Sequence, residues 1–135
     1  AGAKETNLLK LYMKDPGSGA SHNSIDSASN QFGDFVVSGK QSVVAISLDD
    51  LDKIDGISSP NHIKLDVDGK EPDILSGATQ VLKKIDSLLV EIEGKNLKEN
   101  LESIENLISK SGLKEDKSWR EKGSRRNRLY KRKLN

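Results

Sequence analysis

The chain has 135 residues, 33% of them hydrophobic and 32% charged, which is enough for one domain and too little for two comfortable ones. Five aromatic residues (Tyr12, Phe32, Phe35, Trp119 and Tyr130) leave the core to Leu, Ile and Val, which suits a small sheet covered by helices. The absence of cysteine excludes disulfides, zinc–thiolate sites and thiol nucleophiles.

The net charge of +1 hides an asymmetry: residues 114–135 carry an excess of +7 and residues 1–113 one of −6. No aromatic interleaving or nucleic-acid motif accompanies the basic end, and Leu129 and Tyr130 look like strand residues. A solvated edge strand flanked by Lys and Arg, protected from stray pairing, is therefore expected, with no nucleic-acid partner. No apolar run approaches the ~20 residues that span a bilayer, and no signal-peptide pattern opens the chain. The expectation is a cytoplasmic protein without membrane contact.

Ala1-Gly2-Ala3-Lys4 leads almost directly into a strand at 6–13, as expected of a sequence cut from something longer. A Ser/Asn/Gly-rich loop covers 17–30, followed by a short strand at Phe35-Val36-Val37 and a better one from Gln41 to Ile46. Ser47-Leu48-Asp49-Asp50 reads as a helix start in which Ser47 and Asp50 cap each other and Leu51 and Ile54 pack behind; capping explains Asp49 and Asp50 better than a metal does. Residues 62–67 form a strand. Pro72 opens a helix whose apolar stripe, Ile74, Leu75, Ala78, Val81, Leu82 and Ile85, predicts helix over 72–85.

Ser87 to Glu93 reads as a strand buried on both faces. Leu97, Leu101, Ile104, Leu107 and Ile108 mark a second amphipathic helix that Gly112 stops, and strands close the chain at 113–119 and 126–133. Alternation of strand and helix from residue 62 implies right-handed crossovers and a mostly parallel sheet, finished by an antiparallel hairpin.

In such a sheet ligands bind beyond the carboxyl ends of the strands. Asp66, Asp68 and Glu71 follow one strand there, and Glu91 and Glu93 end the next, so the clusters become neighbours if the strands pair. Converging carboxylates bind a metal, orient a hydroxyl or accept a proton. Asp68 and Glu71 fit a helix N-terminus equally well, whereas Asp66 faces the strand mouth. His22, in the long loop, is a candidate general base, and His62, at the opposite end of its strand, reads as structural. Gly17-Ser18-Gly19 completes no dinucleotide fingerprint; Gly33 to Lys40 has five residues between its glycines where a P-loop has four, and Gln41 stands where that loop needs Ser or Thr.

Four pieces in register, Ser47-Leu48-Asp49-Asp50-Leu51, Ile63 to Glu71 (I-K-L-D-V-D-G-K-E), Ile74 to Ala78 (I-L-S-G-A) and Leu89-Val90-Glu91-Ile92, resemble the FkbM family of S-adenosylmethionine-dependent methyltransferases. That family reads T-L-D-D-L, I-K-I-D-V-E-G-x-E, V-L-x-G-A and a strand carrying V-E. The resemblance implies an α/β fold, the C-terminal half of a Rossmann-like class I methyltransferase, with residues 1–135 as a single, partial domain. It also implies O-methyl transfer from S-adenosylmethionine to a hydroxyl of a sugar or small-molecule acceptor. Asp66 matches the family's strand-end Asp at the methyl-transfer cleft, and Glu71 and Glu91 match its other acidic positions. The family's D-x-G-A-N-x-G cofactor loop has no counterpart in these residues, so the chain alone is expected to bind the cofactor weakly and to be inactive. The alternative is a non-catalytic half-domain that associates with a partner, or with itself, through an exposed sheet edge.

Overall fold

A computed structural model describes every residue except 16, 18–22, 31–32, 68, 93–96, 124–125 and 134–135. The chain begins against its own middle: Ala3 N–H donates to the Ile46 carbonyl and Ile46 N–H to that of Ala1. It then enters β1 (Asn7–Met13), which pairs antiparallel with β2 (Ser24–Ile25) on one side and with β5 (Gly39–Ala45) on the other. The expected loop at 17–30 thus contains β2 and the start of a second small ribbon, β3 (Ser29–Asn30) with β4 (Gly33–Asp34). Phe35-Val36-Val37 forms no strand. Phe35 N–H goes to the Ala28 carbonyl and Ser38 N–H to that of Met13, so the segment is a crossing with Val36 in solvent.

Next comes the one-turn helix α1 (Leu48–Leu51), whose Ser47 side chain accepts from Asp50 N–H as capping requires. The reciprocal half goes through a third residue: Ser47 N–H donates to Thr6 Oγ1, and the Thr6 hydroxyl donates to Asp50. Ile54 does not pack behind this turn but stands in solvent.

The second sheet has the order β6-β7-β9-β8, built from β6 (His62–Leu65), β7 (Ser87–Glu91), β8 (Leu113–Glu115) and β9 (Asn127–Arg132). Strands β6 and β7 are parallel neighbours as expected, and β7–β9 and β9–β8 are antiparallel. The expected closing hairpin is therefore present, while the mostly parallel sheet is corrected to a mixed one beside an antiparallel one. β7 alternates buried Leu88 and Val90 with half-exposed residues; it is covered on one face, not both.

On that covered face lie α2 (Glu71–Ser76), a 3-10 turn (Val81–Lys83) and α3 (Leu97–Ser109). All six residues of the stripe from Ile74 to Ile85 are buried there, with Ile104, Ile108 and Tyr130. They do not form one helix over 72–85, because α2 ends at Ser76. A Cβ on Gly77 would lie 2.4 Å from the Ala3 carbonyl oxygen, so the chain's first residues press against the helix end. Beyond it, the Asp49 carboxylate takes the N–H groups of Gln80 (2.9 Å) and Val81 (2.9 Å) and starts a new turn. Gly112 ends α3 with φ +82, as expected. The strand expected over 113–119 stops at Glu115, since Asp116 caps α4 (Lys117–Lys122) by accepting from Trp119 N–H.

Candidate functional site

Parallel pairing puts Leu65 opposite Val90, and the next residue on each strand is a carboxylate, Asp66 and Glu91. The Glu91 side chain stands close enough to act on the Asp66 carboxyl. Lys64, on the same strand face as Asp66, donates to its Oδ2 at 3.0 Å. That ammonium holds the Asp66 carboxyl below the usual carboxylate range; partial burial opposes it, and Glu91 adds to it. Asp66 is substantially solvent-exposed, so the ion pair with Lys64 opens at little cost. The arrangement is two neighbouring carboxyl groups with a cation beside one of them, at the carboxyl end of the parallel strand pair.

Glu71 has gone elsewhere. It is 3% exposed, and its Oε1 accepts from Val67 N–H and Gly69 N–H, each at 3.3 Å. The carboxylate thereby folds the β6–α2 turn, in which Gly69 takes φ +94. His22 and Asp68 lie outside the described residues. His62 is exposed at the far end of β6, its Nδ1 2.9 Å from Ser87 Oγ. Sequence reasoning missed Lys64, although the two-residue period of a strand sets it beside Asp66. Among the described residues no three His, Asp or Glu side chains converge as metal ligands.

The β6–α2 turn is also the test of a cofactor's fit. Its Val67 and Gly69 N–H groups, the donors that the turn could offer a cofactor carboxylate, are both taken by Glu71. The turn therefore offers S-adenosylmethionine neither of these donors.

A parallel strand pair with helices across one face, closed by an antiparallel hairpin and carrying acidic strand ends, is an α/β architecture consistent with a methyltransferase. The methyltransferase FkbM domain profile matches residues 3–123, and the chain belongs to that family. No match to a curated protein or to a solved structure was found.

Proposed function

We propose that this domain serves an O-methyltransferase that uses S-adenosylmethionine and acts on a hydroxyl of a sugar or small metabolite. Its residues work on the acceptor side, within a Rossmann-like sheet of which they form the C-terminal part. The carrying observation is the parallel register that sets Asp66, just past β6, beside Glu91, the last residue of β7. As the acceptor oxygen becomes nucleophilic its proton passes to the Asp66 carboxylate, whose exposed ion pair with Lys64 opens at little cost and frees it to accept. The cofactor is held by a segment other than these residues, and the reading includes a cytoplasmic location.

The test is methyl transfer to hydroxyl acceptors by the full-length encoded protein, compared with Asp66→Asn. A general base contributes roughly 100-fold or more, so kcat should fall by at least that factor with an unchanged melting temperature. A variant of normal kcat removes Asp66 from the site. Calorimetry with the 135-residue chain tests the second clause: micromolar binding of S-adenosylmethionine contradicts it.

A second reading, a half-domain that associates through its sheet, is favoured by two observations. β6 forms one edge of its sheet, and Leu8 and Val44, opposite each other on β1 and β5, are 65% and 67% exposed. A concentration-dependent dimer in light scattering, lost in Leu8→Lys, supports it; a monomer at all concentrations removes it.

A further inference from the structure

Between the N-terminal sheet and the β6–α2 turn lies an open cleft of about 1130 Å³, ample for a ligand the size of a mono- or disaccharide. One wall is aliphatic, from Leu9 and Leu11 of β1 and Ile25 of β2; across it stand Val67, Gly69 and Ile74. Val67 directly follows Asp66 in the chain, so the carboxyl pair stands next to the cleft's border rather than among its lining residues. The rim is polar: Asn23, Asp26, Ser27, Asp34 and, from α3, Asn100. Asp26 is held in the left-handed region (φ 67) by its N–H bond to the Lys10 carbonyl, which fixes its place at the rim.

Three properties restrict the occupant. Carboxylates, hydroxyls and amides above an aliphatic floor match a ring with hydroxyls at its edge and C–H groups on its face. No aromatic residue is among the described lining, so a nucleobase finds no stacking surface. The described lining side chains carry Glu5, Asp26, Asp34 and Asp73 against Lys4 and Lys70, and Lys70 is itself paired to Asp73 at 3.5 Å. With the Ala1 ammonium, which also lines the cleft, the formal balance is −1, and Asp26 and Asp34 stand unpaired by any of these cations at the rim, which disfavours phosphate.

We propose that this cleft seats the acceptor, and that the acceptor is a neutral or amine-bearing polyhydroxyl compound rather than a phosphorylated one. Its role as acceptor rests on the methyl-transfer reading; binding in the cleft does not. The experiment is amide chemical-shift mapping on the 135-residue chain at low salt with three probes: methyl glucoside, glucosamine and glucose 6-phosphate. The first two should shift amides of residues 9, 11, 25–27, 34, 67 and 69 in a saturable way, with the phosphate roughly tenfold weaker. In Asp26→Asn/Asp34→Asn, whose asparagine at 26 tolerates the left-handed region, the gap should close toward equality while the dispersed spectrum is kept. Equal or tighter phosphate binding by the unaltered chain, shifts elsewhere, or no saturable shifts overturn the proposal. Mapped binding without methyl transfer by the full-length protein leaves the cleft intact and sinks the transfer reading; transfer without mapped binding does the reverse.

Discussion

Asp49 shows how much one side chain does in a chain this lean. Its carboxylate accepts from Thr79 Oγ1 and from the N–H groups of Gln80 and Val81, thirty residues away. Capping was legible in the pair Asp49-Asp50, but the turn that Asp49 caps was not, because no local pattern marks a helix start inside an apolar stripe. Removing a cap costs about 1–2 kcal/mol, so Asp49→Ala should lower unfolding free energy by that amount in a urea titration, with the 3-10 turn exchanging amides fastest. Tyr130 makes the opposite case. It is buried, its hydroxyl has no hydrogen-bond partner among the described residues, and burial pushes its phenol up to about 12. The folded value lies above the unfolded one, near 10, so its share of stability is present below pH 10 and is lost as pH rises toward 12. Tyr130→Phe should flatten that alkaline loss and leave neutral-pH stability unchanged or higher by about 1 kcal/mol, since an unpartnered buried hydroxyl is removed. Thermal melts from pH 8 to 11 check both.

Elements with strong periodicity were legible from the sequence, and those broken by distant contacts were not. The stripe from Ile74 to Ile85 buries all its members, yet helix period alone could not reveal that residues 3 and 4 press on Gly77. Gly77→Ala sets a methyl against the carbonyl oxygens of Ala3 and Lys4 at 2.4 and 2.6 Å, which are backbone atoms that cannot rotate away. It should cost about 2 kcal/mol or more and release residues 1–4 from α2, seen as lost protection of the Ala3 amide. Arg132 binds the other side of the same region. Its guanidinium donates to the carbonyls of Ile85 (3.0 Å), Ser111 (3.1 Å) and Leu82 (2.9 Å), tying the 3-10 turn to the end of α3. The sequence presents Arg132 as one cation of a basic tail, and Arg128 with Glu105 and Lys131 with Asp116 are likewise spent within the fold. These cations are thus held within the fold, but the strand that carries Leu129 and Tyr130 is not the expected solvated edge: β9 lies between β7 and β8, paired on both sides, with Tyr130 buried.

At the scale of the molecule, α1 is the joint between the two sheets. Asp49 reaches the 3-10 turn, Asp50 takes the Thr6 hydroxyl just before β1, and Asp52 takes Lys84 Nζ at 2.6 Å and the Ser59 hydroxyl. The parallel register that makes the carboxyl pair was legible because strand order followed from the alternating pattern. This joint was not, since each of its bonds spans thirty residues or more except those to Ser47, Lys53 and Ser59. Its charges decide how the protein responds to acid. The Thr6 hydroxyl, then the Lys53 ammonium and the Ser47 hydroxyl, hold Asp50 at about 2, and Lys84 followed by Ser59 lowers Asp52. In the hairpin, Lys131, Ser118 and the Trp119 N–H hold Asp116 at about 2. Each folded value lies below the unfolded value near 4, so the stability they contribute is present above pH 4 and is lost as pH falls toward 2. The apolar layer of Leu75, Leu82, Leu88 and Ile104 carries no titrating group and keeps its burial across that range. Acid should therefore loosen the joint first. Between pH 4 and 2.5, amides of Ser47 and Asp50 and those of β1 should lose exchange protection while those of Leu88 and Val90 keep it. Asp50→Asn, which cannot gain a proton, should shrink the β1 part of that loss and leave the hairpin's part to Asp116. Simultaneous loss of protection in both sheets would mean that α1 does not separate them, and that the molecule unfolds in acid as one unit.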